Sequence, residues 1–281
     1  MFAGELASIG LSLAAALSWG GGDYIGGTTA RKTDAMGMVV FVLLSGSVMS
    51  AIFGLASHEQ MPAARDVAWA IGAGMFGGLA LAAFYHSLAI GKIGINAPIA
   101  GVLTAAIPAA AGMAMEGAPR PAQIAGFVLA ALSIALVSQS SQTQDKNKGT
   151  GLAVLAGVGF GLFLVFLKLG TTTHVFWPLA ASRFTSATFV LLVCLALQRP
   201  RWFPQRGTFP AIVSAGVLDT GGSILFAYAA QQGRMDVAAV VASLYPAVPV
   251  VLARVLLKEY LTRVQLVGVA AALLAIVLIA R

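Results

Sequence analysis

The sequence predicts an all-α membrane protein: ten transmembrane helices in two inverted five-helix repeats around a central cavity. Three observations predict it, namely composition, the spacing of apolar runs, and a likeness between the two halves of the chain. The 281 residues are 59% hydrophobic and 10% charged, whereas a soluble domain carries about 25% charged residues. Mean hydropathy is +0.89. Ten spans of about 20 residues would occupy roughly 200 positions, leaving short connections and no separate soluble domain. The runs are too long for outer-membrane barrel strands, which need about 9–11 residues.

Apolar runs bounded by charges, Gly or Pro place helices at 6–28, 36–56, 67–90, 95–115 and 121–139, then at 150–170, 178–198, 208–230, 237–256 and 263–280. The first run has no basic residue before it (MFAGELASIG), so it reads as a retained span rather than a cleaved signal. Pro98 and Pro108 in the fourth span, and Pro246 and Pro249 in the ninth, predict kinks or breaks. Trp69, Trp177 and Trp202 fall near span ends, where indole rings favour the interface.

The polar segment 140–149, SSQTQDKNKG, divides a first repeat (1–139) from a second (150–281). Gln123-Ile124-Ala125-Gly126 matches Gln265-Leu266-Val267-Gly268 at an offset of 142, and LAAALSWGG from Leu13 lies over LAGVGFGLF from Leu155 at the same offset. Glu116 and Glu259 close the fourth and ninth spans, and Asn96-Ala97 corresponds to Asp236-Val237 after a small slip. A unit with an odd number of spans places its copy upside down in the bilayer. Inverted repeats put a substrate site near the midplane, where the units meet and rock against each other.

Net charge is +7 and the pI about 9.9. The 17 Lys and Arg are scattered among the loops, which fits topology determinants and headgroup contacts rather than a nucleic-acid surface. Loops after odd-numbered helices hold eleven of them and the opposite side five, with Arg183 left inside a span. The positive-inside rule then puts the odd loops in the cytoplasm and both termini outside. Cys194 is the single cysteine and makes no intrachain disulfide.

Ionisable side chains inside spans are costly and therefore functional candidates. Asp219 lies at the centre of the eighth span, and helical spacing puts Asp219, Gly222, Ser223 and Phe226 on one face. A carboxylate there would hold a substrate ammonium or take up a proton, or it would make a structural hydrogen bond. Asp23 and His86 fall at similar depths in parallel helices, so they are expected either to relay protons or to tie two helices together. Lys168 and Arg183 would attract a substrate carboxylate or snorkel to headgroups, the simpler role. Trp19, Tyr24, Phe84, Tyr85, Phe160, Phe163 and Tyr228 are candidate cavity aromatics, with Trp19 and Asp23 sharing a face. Gly22-x3-Gly26 and Gly157-x3-Gly161 read as helix-packing motifs.

No zincin, nucleophile-elbow, CxxC, phosphate-loop or dinucleotide motif occurs, and His58, His86 and His174 are too dispersed to signal a metal. The expectation is a protein that is not an enzyme and has neither cofactor nor metal.

These residues resemble a known group. Trp19-Gly20 in the first helix, Arg183 early in the seventh, and Lys258-Glu259-Tyr260-Leu261-Thr262 followed by Gln265 and Gly268 are similar to the EamA family of the drug/metabolite transporter superfamily. The overall pattern is most like its aromatic amino-acid exporter type (YddG-like). The chain departs from the pattern where Phe41 stands opposite Arg183 and where the first Glu motif carries an insertion. The resemblance implies a central cavity, export of amino acids or related small metabolites, and both termini inside, against the charge count. The expected protein is a multi-pass inner-membrane secondary transporter, monomeric or a weak dimer. Its partners are a small-molecule substrate and the lipid bilayer. Alternatives are a sugar, nucleoside or drug permease of the superfamily, or a non-transporting membrane assembly protein.

Overall fold

The computed structural model describes residues 2–116, 121–138, 148–171, 173–198, 203–232, 242, 244–258 and 260–279. Glu259, Asp236, Trp202 and almost all of the polar linker lie outside them, as do the side chains of Glu116, Gln123 and Gln265. Described residues form ten α-helices: α1 (Phe2–Ala30), α2 (Ala35–Ala56), α3 (Ala64–Ile90), α4 (Ile93–Glu116), α5 (Pro121–Ser138), α6 (Thr150–Gly170), α7 (Phe176–Ala196), α8 (Phe209–Gln232), α9 (Ala247–Leu256) and α10 (Arg263–Ile279). A 3-10 turn at Arg206–Thr208 leads into α8. By length and composition, five of the described helices are able to cross a membrane: α2, α3, α6, α7, and α8 with the turn before it.

Local chemistry explains the boundaries. Asp34 caps α2, accepting a 2.8 Å hydrogen bond from the Gly37 amide. Pro121 opens α5 at the first helical position, where its missing N–H costs nothing. Gly149, just before α6, has φ +84°, and a Cβ there would come within 2.6 Å of the Ser87 carbonyl oxygen. Only glycine meets both conditions cheaply. The ninth span is interrupted as its prolines predict: Ala242 is helical, residues 244–246 form a turn, and α9 begins after Pro246. The fourth differs from expectation, because α4 is one continuous helix through Pro98 and Pro108.

The most extensive packings are α1 on α8, α3 on α6, α5 on α10 and α2 on α7. Exchanging each helix with the one five places along swaps the first two pairs and returns the last two to themselves. Serine hydroxyls stitch the halves together by donating to backbone carbonyls: Ser8 to Ala229 (2.9 Å), Ser18 to Leu218 (2.6 Å), Ser47 to Ala180 (2.9 Å) and Ser186 to Gly74 (2.7 Å). Bonds of this kind between membrane helices contribute about 0.6 kcal/mol each. Glycine allows the close approach they need. A Cβ on Gly74 would lie 2.4 Å from the Ser182 carbonyl oxygen, which permits the α3–α7 contact only without a side chain. The buried core runs through Met38, Leu43, Leu81, Phe84, Tyr85 and Leu88, reaching α7 at Val190 and Cys194.

Candidate functional site

Four helices bring polar side chains to the interior where the halves meet. The α1 glycines let this happen. A Cβ on Gly22 would press on the α8 backbone at Ala215 and Asp219, and one on Gly26 would collide with the Tyr85 phenol of α3. With neither side chain present, α1 lies directly on both neighbours. The expected seam motif thus serves two different helices, whereas Gly157 and Gly161 both face α4, at Ala100 and Ile107.

Asp219 is paired. Its carboxylate oxygen lies 2.8 Å from an Arg183 terminal nitrogen, with side-chain exposures of 16% and 6%. The same guanidinium donates to the Ser223 hydroxyl at 3.0 Å, and Ser223 donates to the Asp219 carbonyl oxygen at 3.1 Å. From α1, the Trp19 indole N–H donates to that carbonyl oxygen at 2.9 Å and to the Ser223 hydroxyl at 3.3 Å. The face predicted for α8 is therefore the one that meets Trp19. Gly222 supplies room for the indole, and Phe226 packs against it with the rings tilted by 42° and their centroids 5.7 Å apart.

Arg183 is corrected from the headgroup role. It is buried at 5% exposure, ion-paired, and lies 5.4 Å from the Phe163 ring centroid, a cation–π distance. Lys168, in contrast, is exposed in the last turn of α6.

Asp23 is 7% exposed. It stands within electrostatic range of Asp219, and the phenols of Tyr85 and Tyr245 lie within range of both carboxylates. Its expected partner is elsewhere. His86 is exposed while the adjacent Tyr85 is fully buried, so α3 turns Tyr85 inward and carries His86 away from Asp23. The phenolic oxygen of Tyr85 has no hydrogen-bond partner among the described residues, and neither has Nε of Arg183. Tyr245, which the sequence reading passed over, stands edge-on against Trp19 at 6.0 Å.

Other candidates sit apart. Tyr24 is half-buried against the core, and Phe84 packs on Phe160 at 5.6 Å within it. Tyr228 lies toward the C-terminal end of α8, edge-on to Phe176 at 5.9 Å. A groove of about 430 Å³ runs between α2 and α8, lined by Phe41, Val48, Phe53, Phe209 and Val217 among others, and it does not include the polar cluster.

One further contact was invisible in the sequence. The Glu59 carboxylate, between α2 and α3, accepts hydrogen bonds from the backbone amides of Val175, Phe176 and Trp177 at 2.8 to 3.3 Å. The Trp177 indole returns a 2.9 Å bond to the Glu59 carbonyl oxygen. An acidic side chain thereby caps α7 from the other half of the chain.

Residues 147–281 match the model of the EamA-like transporter family. No curated protein matches the chain. A solved structure, described simply as a crystal structure of a protein, is similar at TM-score 0.66 and 17% identity, covering 96% of this chain and 95% of that one. That likeness concerns the fold alone.

Proposed function

We propose that the protein is a secondary transporter of the drug/metabolite superfamily. In this reading ten spans form two inverted five-helix repeats that move amino acids, aromatic ones among them, or related small metabolites out across the inner membrane by alternating access. The EamA-like transporter domain at 147–281 supports the transporter class and a multi-pass membrane protein. The exchange of helix pairings between the halves supports the inverted repeat.

The observation that carries the reading is the cluster of Trp19, Asp23, Arg183, Asp219 and Ser223 where the halves meet. A buried ion pair is weak evidence for stability, since apolar residues of similar volume often serve as well. Here it is flanked by aromatic rings and by unpaired polar groups, which suits transient recognition of a charged solute. Arg183 and Asp219 neutralise each other without cargo. An amino acid would exchange partners with them, its carboxylate turning to Arg183 and its ammonium to the carboxylates, while Trp19 and Phe226 stack on its body. The work of transport then comes from a solute or proton gradient, since the sequence holds no nucleotide-binding loop.

The test is counterflow in proteoliposomes with radiolabelled amino acids, sugars and nucleosides. Saturable exchange of amino acids is the expected result. Exchange confined to sugars or nucleosides would move the protein to another branch of the superfamily, and absence of any flux would refute transport.

A further inference from the structure

The cluster does not balance its charges. Asp219 is matched by Arg183 at 2.8 Å, and that guanidinium is committed to Asp219 and Ser223. Asp23 makes no hydrogen bond or ion pair among the described residues, and the charged group acting on it is Asp219, of the same sign. A carboxylate taken out of water without a counter-charge is strongly disfavoured. No described residue supplies that charge.

A second observation points to an occupant. The Tyr85 hydroxyl, fully buried, has no hydrogen-bond partner among the described residues although it stands within range of both carboxylates and of Arg183. Buried polar atoms normally find one. An electron-rich surface lies alongside: Trp19 shares the α1 face with Asp23, and the Tyr245 ring stands 6.0 Å from its indole. A carboxylate beside aromatic faces is suited to an organic ammonium.

We propose that Asp23 is the cation-recognition residue of this site and that the site takes a small organic monocation, a protonated amine with an apolar or aromatic body. The ammonium sits between Asp23 and the aromatic faces of Trp19 and Tyr245, donating to the carboxylate, with the Tyr85 hydroxyl completing its hydrogen bonds. The charges then sum to zero. A zwitterion would trade partners with Arg183 and Asp219 and still leave Asp23 uncompensated. This inference rests on the transporter reading and, among the amino acids and related small metabolites it names, favours monocationic amines over the zwitterions. Among the described residues, the titratable groups within electrostatic range of Asp23 are Asp219 on α8, Tyr85 on α3 and Tyr245 before α9.

The experiment uses the purified full chain in nanodiscs, titrated with radiolabelled phenethylamine and with phenylalanine, which differ by one carboxylate. Wild type is expected to bind the amine at least about tenfold more tightly, as one unscreened charge contact allows. Asp23→Asn loses that preference and Asp23→Glu keeps it. Because Asp23 ties nothing together, Asp23→Asn melts at or above the wild-type temperature without ligand. Equal binding of both probes by wild type, an unchanged preference in Asp23→Asn, or an Asp23→Asn chain that does not fold would each overturn the proposal. So would a variant whose sole defect is flux driven by a pH gradient, because the cation would then be a bare proton. Flux measured alongside separates the two readings. Amino-acid exchange with an indifferent Asp23 keeps transport and discards this inference, while Asp23-dependent amine binding without flux does the reverse.

Discussion

The Arg183 guanidinium of α7 meets the Asp219 carboxylate of α8 at 2.8 Å, and the pair is almost enclosed by protein. Removing one partner of such a pair strands a buried charge, which costs about 3–5 kcal/mol. Asp219→Leu and Arg183→Met are therefore each expected to lower unfolding stability in detergent by about that much, whereas the double variant recovers most of the loss. Equal and additive losses would mean that the two side chains act independently.

Gly222 is predicted to be intolerant of a side chain. A Cβ there would sit 2.6 Å from Cδ1 of Trp19, so Gly222→Ala forces the indole away from Asp219 and Ser223. Overpacking of this kind costs about 1–3 kcal/mol. Tryptophan emission should shift in Gly222→Ala, and the shift should be absent when Trp19→Phe is already present.

Glu59 joins the halves at one end of the bundle. Glu59→Gln keeps the shape and an acceptor oxygen but removes the charge that faces three amides at the α7 N-terminus. Loss of charge-assisted capping is expected to cost about 1–2 kcal/mol. Hydrogen exchange should speed up at residues 175–177 ahead of the α7 interior. Uniform exchange along α7 would contradict the assigned cap.

Much of this was legible in the sequence. The α6 span was predicted at 150–170 and is found there, and α2 begins one residue before its expected start, because unbroken apolar runs between charged or glycine boundaries leave little freedom. Asp219 stood out for the same reason: a carboxylate inside such a run is conspicuous. The partner was not legible. Arg183 lies seven residues from the start of α7, a position equally compatible with reaching headgroups, and only the tertiary arrangement that brings its guanidinium to Asp219 decides between them. His86 failed for a rotational reason. Depth along a helix follows from residue count, but one step around it separates exposed His86 from buried Tyr85. The Glu59 cap joins positions 116 residues apart in the chain, and no local pattern announces it.

The central claim is that Ser223 and its neighbours line a compartment reached from each side of the bilayer in turn. The direct measurement is accessibility of Ser223→Cys in a Cys194→Ser background to a membrane-impermeant thiol reagent, applied to sealed right-side-out and inverted vesicles. The account predicts labelling from one face in cargo-free protein, and a shift to the opposite face when a cargo gradient is imposed. Protection from both faces under every condition would contradict it.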